Sequence, residues 1–304
     1  MALKKLEEMK ERVLSSTEKK RIGVVAAEDD HTLKAIAMAV RDGLVEPVLI
    51  GEEVLIEALW ASVAPPGQDL PEIVEAKGRE ACVDTALNLV RSGNIKCLMK
   101  GRLETGELMK GVVNREKGIK TNNTLSLLGL FESPYYHKVF AVTDMGLLIN
   151  PTLEQKKAAL ENAVQVFHIL GTEYPKVGVL AAVEKVNPKM QETTEAADLK
   201  EMNRNGQIPD CIVEGPISYD LCMDPEAAVI KGYDSPVAGD ADVLLVPNIV
   251  AGNLMSKALA CTGGAKTCGI VWGAAVPIVL TSRSASAYDK YMSIVFAALV
   301  GGQS

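Results

Sequence analysis

Short β-branched runs alternate with amphipathic segments along almost the whole of this 304-residue chain. "RIGVVAA" (21–27), "EPVLIG" (46–51), "KCLMKG" (96–101), "KVFAVTD" (138–144), "KVGVLAAV" (176–183), "DCIVEG" (210–215), "DADVLLVPN" (240–248), "KTCGIVWG" (266–273) and "VPIVLTS" (276–282) have strand length and strand composition. Helical periodicity fills the gaps at 30–43, 78–93, 152–171, from about Pro188 to Asn205, at 252–263 and from about Ala285. Alternation of this kind restricts the chain to an α/β fold with mainly parallel sheets covered by helices. In such sheets ligands gather beyond the carboxyl ends of the strands. The residues that leave each strand are therefore the candidate site.

The length suits two domains. The segment 116–137 is the richest in Gly, Asn, Ser and Pro, so a crossing near 130 is expected. No internal repeat or low-complexity linker interrupts the pattern. The first twenty residues read as an amphipathic helix and not as a signal peptide. The longest apolar run, Gly269 to Leu280, contains Pro277 and is too short for a bilayer. A cytoplasmic protein is expected.

Composition narrows the function classes. A net charge of −7 argues against a general nucleic-acid binder but leaves room for a local cationic pocket. The cysteines Cys82, Cys97, Cys211, Cys222, Cys261 and Cys268 form no Cys-x-x-Cys and read as buried, reduced thiols. His31, His137 and His168 are scattered and suggest no metal site. Neither a Walker loop nor a strand-linked G-x-G-x-x-G occurs.

The strand-end residues are Lys100-Gly101, Thr143-Asp144, Glu184, Gly215-Pro216, Pro247-Asn248 and Ser282-Arg283, with "AGN" (251–253) opening a helix. The stretch "VLTSRSASAYDK" (279–290) has the physics of an anion site. A strand hands over to a helix whose free N–H groups point outward. Two serines and the planar fork of Arg283 add donors. The plainer alternative is that Ser284 or Ser286 is only an N-cap and Arg283 a surface residue. Ser282 and Asp289, seven apart, would share a face if both were helical.

"DADVLLVPNIVAGNLMSKAL" (240–259), "VPIVLTSR" (276–283), "VEKVNPKM" (183–190), "RNGQIPDCIVEGPISYD" (204–220) and "LMKG" (98–101) together resemble the phosphate acetyl/butyryl transferase family, most closely its butyryl branch. The resemblance covers nearly the whole chain. It implies two α/β domains with a cleft between them, in an architecture like that of isocitrate and isopropylmalate dehydrogenases. The expected division is 1–130 completed by 275–304, and 131–274. It implies transfer of a short acyl group between CoA and phosphate, with CoA as substrate, no bound cofactor or metal, and at least a homodimer. Carried over by position, Ser282 and Arg283 hold the phosphate or phosphoryl group and Asp289 is the proton carrier. Lys110 takes the place of a phosphate-binding arginine, with Thr105 in the preceding loop. Asn248, Gly252 and Asn253 line the cleft. Lys100, Gly101 and Asp144 join these substrate-binding candidates as strand-end residues.

Arg102, Glu104, Leu127 and Tyr288 depart from the family pattern, and Asp289 stands where the butyryl branch usually has Thr, so that the acid resembles the acetyl branch instead. Two rival functions remain at this point. One is a non-catalytic acyl-CoA-binding protein of the same fold. The other is a metal- and NAD-dependent dehydrogenase, for which Asp240 and Asp242 would be the nearest carboxylate pair, although their place before a strand suits capping.

Overall fold

The computed structural model describes residues 3–16, 19–282 and 285–302. In chain order the elements begin with α1 (Glu8–Leu14), β1 (Lys20–Val25), α2 (Asp30–Arg41), β2 (Val45–Gly51), α3 (Glu53–Val63) and β3 (Glu72–Glu75). Next come α4 (Arg79–Arg91), β4 (Cys97–Lys100), α5 (Thr105–Val112), β5 (Ser126–Glu132) and β6 (Phe140–Thr143). Then follow α6 (Leu153–Ile169), β7 (Lys176–Leu180), α7 (Gln191–Arg204), β8 (Ile212–Ile217), α8 (Tyr219–Met223) and α9 (Pro225–Lys231). The chain closes with β9 (Val243–Leu245), α10 (Ile249–Cys261), β10 (Lys266–Trp272), β11 (Ile278–Val279) and α11 (Ala287–Val300).

Two compact units result. Glu7–Asn123 joins with Cys268–Ser304, and Thr124–Thr267 joins with Met1–Leu6. In the first unit the strand order is β3-β2-β1-β4-β11-β10. All its pairings are parallel except β10 with β11. In the second the order is β5-β6-β9-β7-β8, again parallel except for β5 with β6. The α/β class with mainly parallel sheets is therefore observed.

The expected strands and helices are present, with changes at their ends. The N-terminal helix is short, covering Glu8–Leu14. The stretch 116–137, read from its turn-forming residues as a crossing, contains β5. Its "SLLGLFE" segment is largely buried, and cross-strand pairing with β6 outweighs the single glycine. The helix expected from 252 begins at Ile249, because Asn248 caps it and Oδ1 accepts from the Ala251 N–H at 3.0 Å.

Helix α11 is the centre of the first unit. Tyr291, Met292, Ile294, Val295, Phe296, Ala297, Ala298 and Val300 are all buried, against α1, α2, β4 and β11. A fully buried Phe or Ile contributes roughly 1.5–3 kcal/mol, so this short segment anchors the unit. Its two tyrosines are tied at their hydroxyls. Tyr291 donates to Asp42 at 2.7 Å and Tyr288 to Glu7 at 2.8 Å. In the second unit the core gathers Phe131, Phe140, Val142, Leu180, Ile217, Leu221, Leu244 and Val246.

The start of β9 is held by charge. Lys138, which is buried, lies 2.8 Å from Asp240 and 2.7 Å from Asp242, and His137 lies 2.8 Å from Asp240. Lys176 also pairs with Asp240, and its N–H donates to Asp242 at 2.8 Å. Desolvation works to raise the Asp240 carboxyl, but hydrogen bonds from Lys138, Lys176 and His137 outweigh it and hold the group well below the usual carboxylate range. A depressed folded value stabilises the fold fully above the unfolded value of about 3.9, and that contribution is lost as pH falls toward the folded one. Urea midpoints measured across this range should drop once the pH is below about 4, and Asp240→Asn should weaken that acid dependence.

Candidate functional site

The candidate residues fall at the carboxyl ends of strands in both units. In the first unit, Lys100 ends β4 and is buried, with its ammonium donating to Leu103 O at 3.0 Å and Gly101 O at 3.4 Å. Gly101 lies against the end of β1. Its N–H donates to Val25 O at 2.9 Å, and a Cβ there would come within 2.1 Å of Ala26 O. The next amide, on Arg102, donates to Ala26 O at 2.7 Å. No residue larger than glycine fits where the two parallel strand ends meet.

This loop delivers the N-terminus of α5. Glu104 is the N-cap residue, and its N–H donates to Glu107 Oε2 at 2.7 Å, while Arg79 pairs with Glu107 at 3.3 Å. Thr105 is the first residue of α5 and Lys110 lies in its last turn. Both are exposed. Five residues apart, they sit roughly 140° apart around the axis and do not share a face.

The segment that links β11 to α11 carries Ser282, which is exposed and whose carbonyl accepts from the Ala285 N–H at 3.1 Å. Arg283 and Ser284 lie outside the described residues. Ser286 is the N-cap of α11, so the capping alternative holds for that serine. Its hydroxyl accepts from the Asp289 N–H at 3.0 Å and donates to Asp289 Oδ2 at 2.7 Å. Asp289 is thus the third residue of the helix, facing back to the cap. Because α11 begins at Ala287, Ser282 is not helical, and the shared-face argument for Ser282 and Asp289 does not hold.

Sequence reasoning passed over the residue after Asp289. Lys290 is buried at 5% exposure, and its ammonium donates to Thr281 Oγ1 at 3.1 Å, one residue before Ser282. Burial pushes this ammonium down in pKa, opposed by the charge of Asp29, the N-cap of α2. A lysine directly before a largely apolar helix stretch, "YMSIVFAALV" (291–300), was the available signal.

In the second unit, β6 and β9 are parallel neighbours, and Asp144 and Asn248 leave their carboxyl ends. Asp144 is buried. Its Oδ2 accepts from Leu127 N at 2.8 Å, and Oδ1 from Gly146 N at 2.8 Å and Leu147 N at 2.7 Å. Burial pushes its carboxyl up, against the pull of these backbone donors. Asp144 therefore shapes the turn on which α10 rests. Gly252 touches that turn so closely that a Cβ would meet Met145 Cα and Val246 Cγ2 at 2.8 Å and Asp144 O at 2.9 Å. Asn253, exposed, reaches Met145 O at 3.5 Å. Asp144, Asn248, Gly252 and Asn253 are thus brought together.

Glu184 and the Gly215-Pro216 corner lie at another edge of this unit. Glu184 accepts from Ser218 Oγ at 2.6 Å and Lys231 Nζ at 2.9 Å, beside a cavity of about 630 Å³ lined by residues 183–188, Leu221, Lys231 and Tyr233. Asp240 and Asp242, the carboxylate pair of the dehydrogenase alternative, are engaged by Lys138, Lys176 and His137. Five cysteines are buried, but Cys261, at the end of α10, is exposed, which corrects the expectation for that residue. Among the described residues no helix is long and apolar enough to cross a membrane.

Residues 68–298 match the profile of the family described as "Phosphate acetyl/butaryl transferase". The chain belongs to this family. It is an enzyme of the phosphate acyltransferase class. A phosphate acetyltransferase from Thermotoga maritima is 41% identical over 92% of this chain and 95% of its own. A phosphate butyryltransferase from Clostridium acetobutylicum is 37% identical over 95% and 96%. Among solved structures, a branched-chain phosphotransacylase from Enterococcus faecalis V583 superposes with a TM-score of 0.82 at 31% identity, covering 92% of this chain and 98% of that one.

Against the family pattern, three departures now have physical settings. Glu104 is the N-cap residue of α5, Tyr288 is tied to Glu7, and Leu127 sends its N–H to Asp144. Because both Asp144 oxygens accept backbone donors, Asp144→Asn turns one acceptor into a donor that faces an N–H. Equilibrium denaturation should show a loss of about 1–3 kcal/mol for this variant.

Proposed function

We propose that this enzyme transfers a short acyl group, butyryl or similar or else acetyl, between CoA and inorganic phosphate: acyl-CoA plus phosphate gives acyl phosphate plus CoA. The observation that carries this reading is that the family's Lys100-Gly101 and Ser282 leave the neighbouring parallel strands β4 and β11 at their carboxyl ends in one unit. Family membership supplies the reaction class; the residues supply the roles.

A phosphate oxygen attacks the thioester carbonyl, and the carbonyl electrons move to oxygen. The tetrahedral centre then collapses, the C–S bond breaks, and sulfur leaves with its electron pair. Ser282, at the end of the β11 segment, donates to the oxyanion. Arg283 and Lys110 neutralise the phosphate. Lys100, Gly101 and Thr105 place the β4–α5 loop at this anion. The Asp289 carboxylate takes the proton that the attacking hydrogen phosphate loses and passes it to the departing sulfur, and in reverse it takes the proton from CoA-SH. Asn248, Gly252, Asn253 and the turn held by Asp144 serve the CoA side. Holding two substrates in reacting geometry accounts for up to roughly 7–11 kcal/mol of barrier lowering. On the same reading the enzyme works in the cytoplasm, where free thiols persist, and as at least a homodimer.

The test is thiol release from acetyl-CoA through hexanoyl-CoA, with and without phosphate. Phosphate-dependent release is expected, with the preferred chain length naming the substrate. Thioester binding without release would favour the non-catalytic alternative. Ser282→Ala should lower kcat about 100- to 1,000-fold if its hydroxyl serves the oxyanion. Asp289 also caps α11, so Ser286→Ala is the control. Asp289→Asn should lose turnover, while Ser286→Ala should cost about 1 kcal/mol of stability and little activity. Equal turnover in wild type and folded Asp289→Asn would remove the proton-transfer role.

A further inference from the structure

Among the described residues, four lysines are at least nine-tenths buried: Lys100, Lys138, Lys156 and Lys290. Three have strong acceptors. Lys138 faces Asp240 and Asp242, Lys156 pairs with Glu195, and Lys100 donates to two carbonyls. Lys290 differs. Among the described residues its ammonium donates only to the neutral Thr281 hydroxyl, at 3.1 Å. Asp29 acts on its charge but is not bonded to it, and that carboxylate accepts instead from the Thr32 N–H at 2.7 Å as the cap of α2.

An ammonium carries three N–H donors, and a buried charge with donors unused is costly. Such a group persists where an anion arrives to complete it. The place is specific. Thr281 is the residue before Ser282 on the β11 segment, Lys290 follows Asp289 in the first turns of α11, and Asp29 caps the helix that follows β1. All lie beyond the carboxyl ends of parallel strands of one unit.

We infer that Lys290 is a phosphate-binding residue, its two remaining N–H groups taking oxygens of inorganic phosphate and of the phosphoryl group of acyl phosphate. The inference rests on the acyl transfer reading above and adds a site residue to it. Thr281 has a part as well. Because its oxygen accepts from Lys290, its O–H is directed away from the ammonium and can donate to the same anion. The ammonium acts as a compact point charge toward the anion.

The test compares wild type with K290M, which keeps an unbranched chain of similar reach without charge, and with K290R. Thiol release is measured with phosphate varied at saturating thioester, then with thioester varied at saturating phosphate. Melting temperature is followed with and without inorganic phosphate. For K290M the phosphate KM should rise by about tenfold or more, the size expected for loss of a charged hydrogen bond. Its thioester KM should stay close to the wild-type value. Without phosphate K290M should melt at or above the wild type, because a buried unpaired charge has been removed. The phosphate-induced rise in melting temperature should shrink, and K290R should recover part of it.

The inference is overturned if K290M and wild type agree in phosphate KM and in the phosphate-induced melting shift. It is also overturned if K290M fails to fold or melts lower without phosphate, which would make the ammonium part of the framework. A parallel rise in thioester KM would likewise overturn it. CoA release by the wild type that ignores phosphate would defeat the acyl transfer reading instead, while the melting shifts would still report on Lys290.

Discussion

Parallel pairing of β1 with β4 and of β4 with β11 sets the terms for much of the first unit. Parallel neighbours end on the same side, so the loops after Val25, Lys100 and Val279 are forced together, each leading toward a helix. That arrangement requires Gly101, whose backbone lies on Ala26. It also brings the α2 cap, the β4–α5 loop and the start of α11 to one end of the sheet. Burial of α11 fixes the last of these. With its apolar residues inside the unit, the Ser286–Asp289 cap and Lys290 have little freedom to move.

The second unit repeats the principle with different means. Here a single carboxylate, Asp144, gathers backbone donors from a strand and from the turn that follows β6, and Gly252 lets α10 rest directly on that turn. Asn248 then caps α10 and orients its first turn. A buried carboxylate is tolerated because its acceptors are filled, which is the ordinary condition for burying a charge. Asp144 thus supports the turn on which α10 rests.

The departures from the family pattern carry a related lesson. A glutamate near an anion-binding loop looks repulsive on charge alone, yet Glu104 stands at the N-cap of α5, where a negative charge complements the helix dipole. Tyr288 takes a place beside Asp289 but points its hydroxyl to Glu7. Neither substitution by itself removes the groups that acyl transfer needs. Asp289 caps α11 from the third position of the helix, and the proposed proton transfer would place a second demand on the same carboxylate.

The sequence by itself determined the α/β class and the order of most elements, and it pointed to the strand ends for a candidate site, because hydrophobic period and turn residues are local signals. It also offered Ser282 and Asp289 as candidates, through a serine-rich handover from strand to helix and the family resemblance. It did not reveal β5, whose pairing with β6 is a cross-strand effect, nor that Ser282 stops short of α11. Thr105, expected in a loop, is the first residue of α5. Only the tertiary structure filled the acceptors of Asp144. Only it left the Lys290 ammonium buried with a lone hydroxyl partner among the described residues. The reason is that burial and partner choice depend on residues far apart in the chain, while periodicity reports only on neighbours.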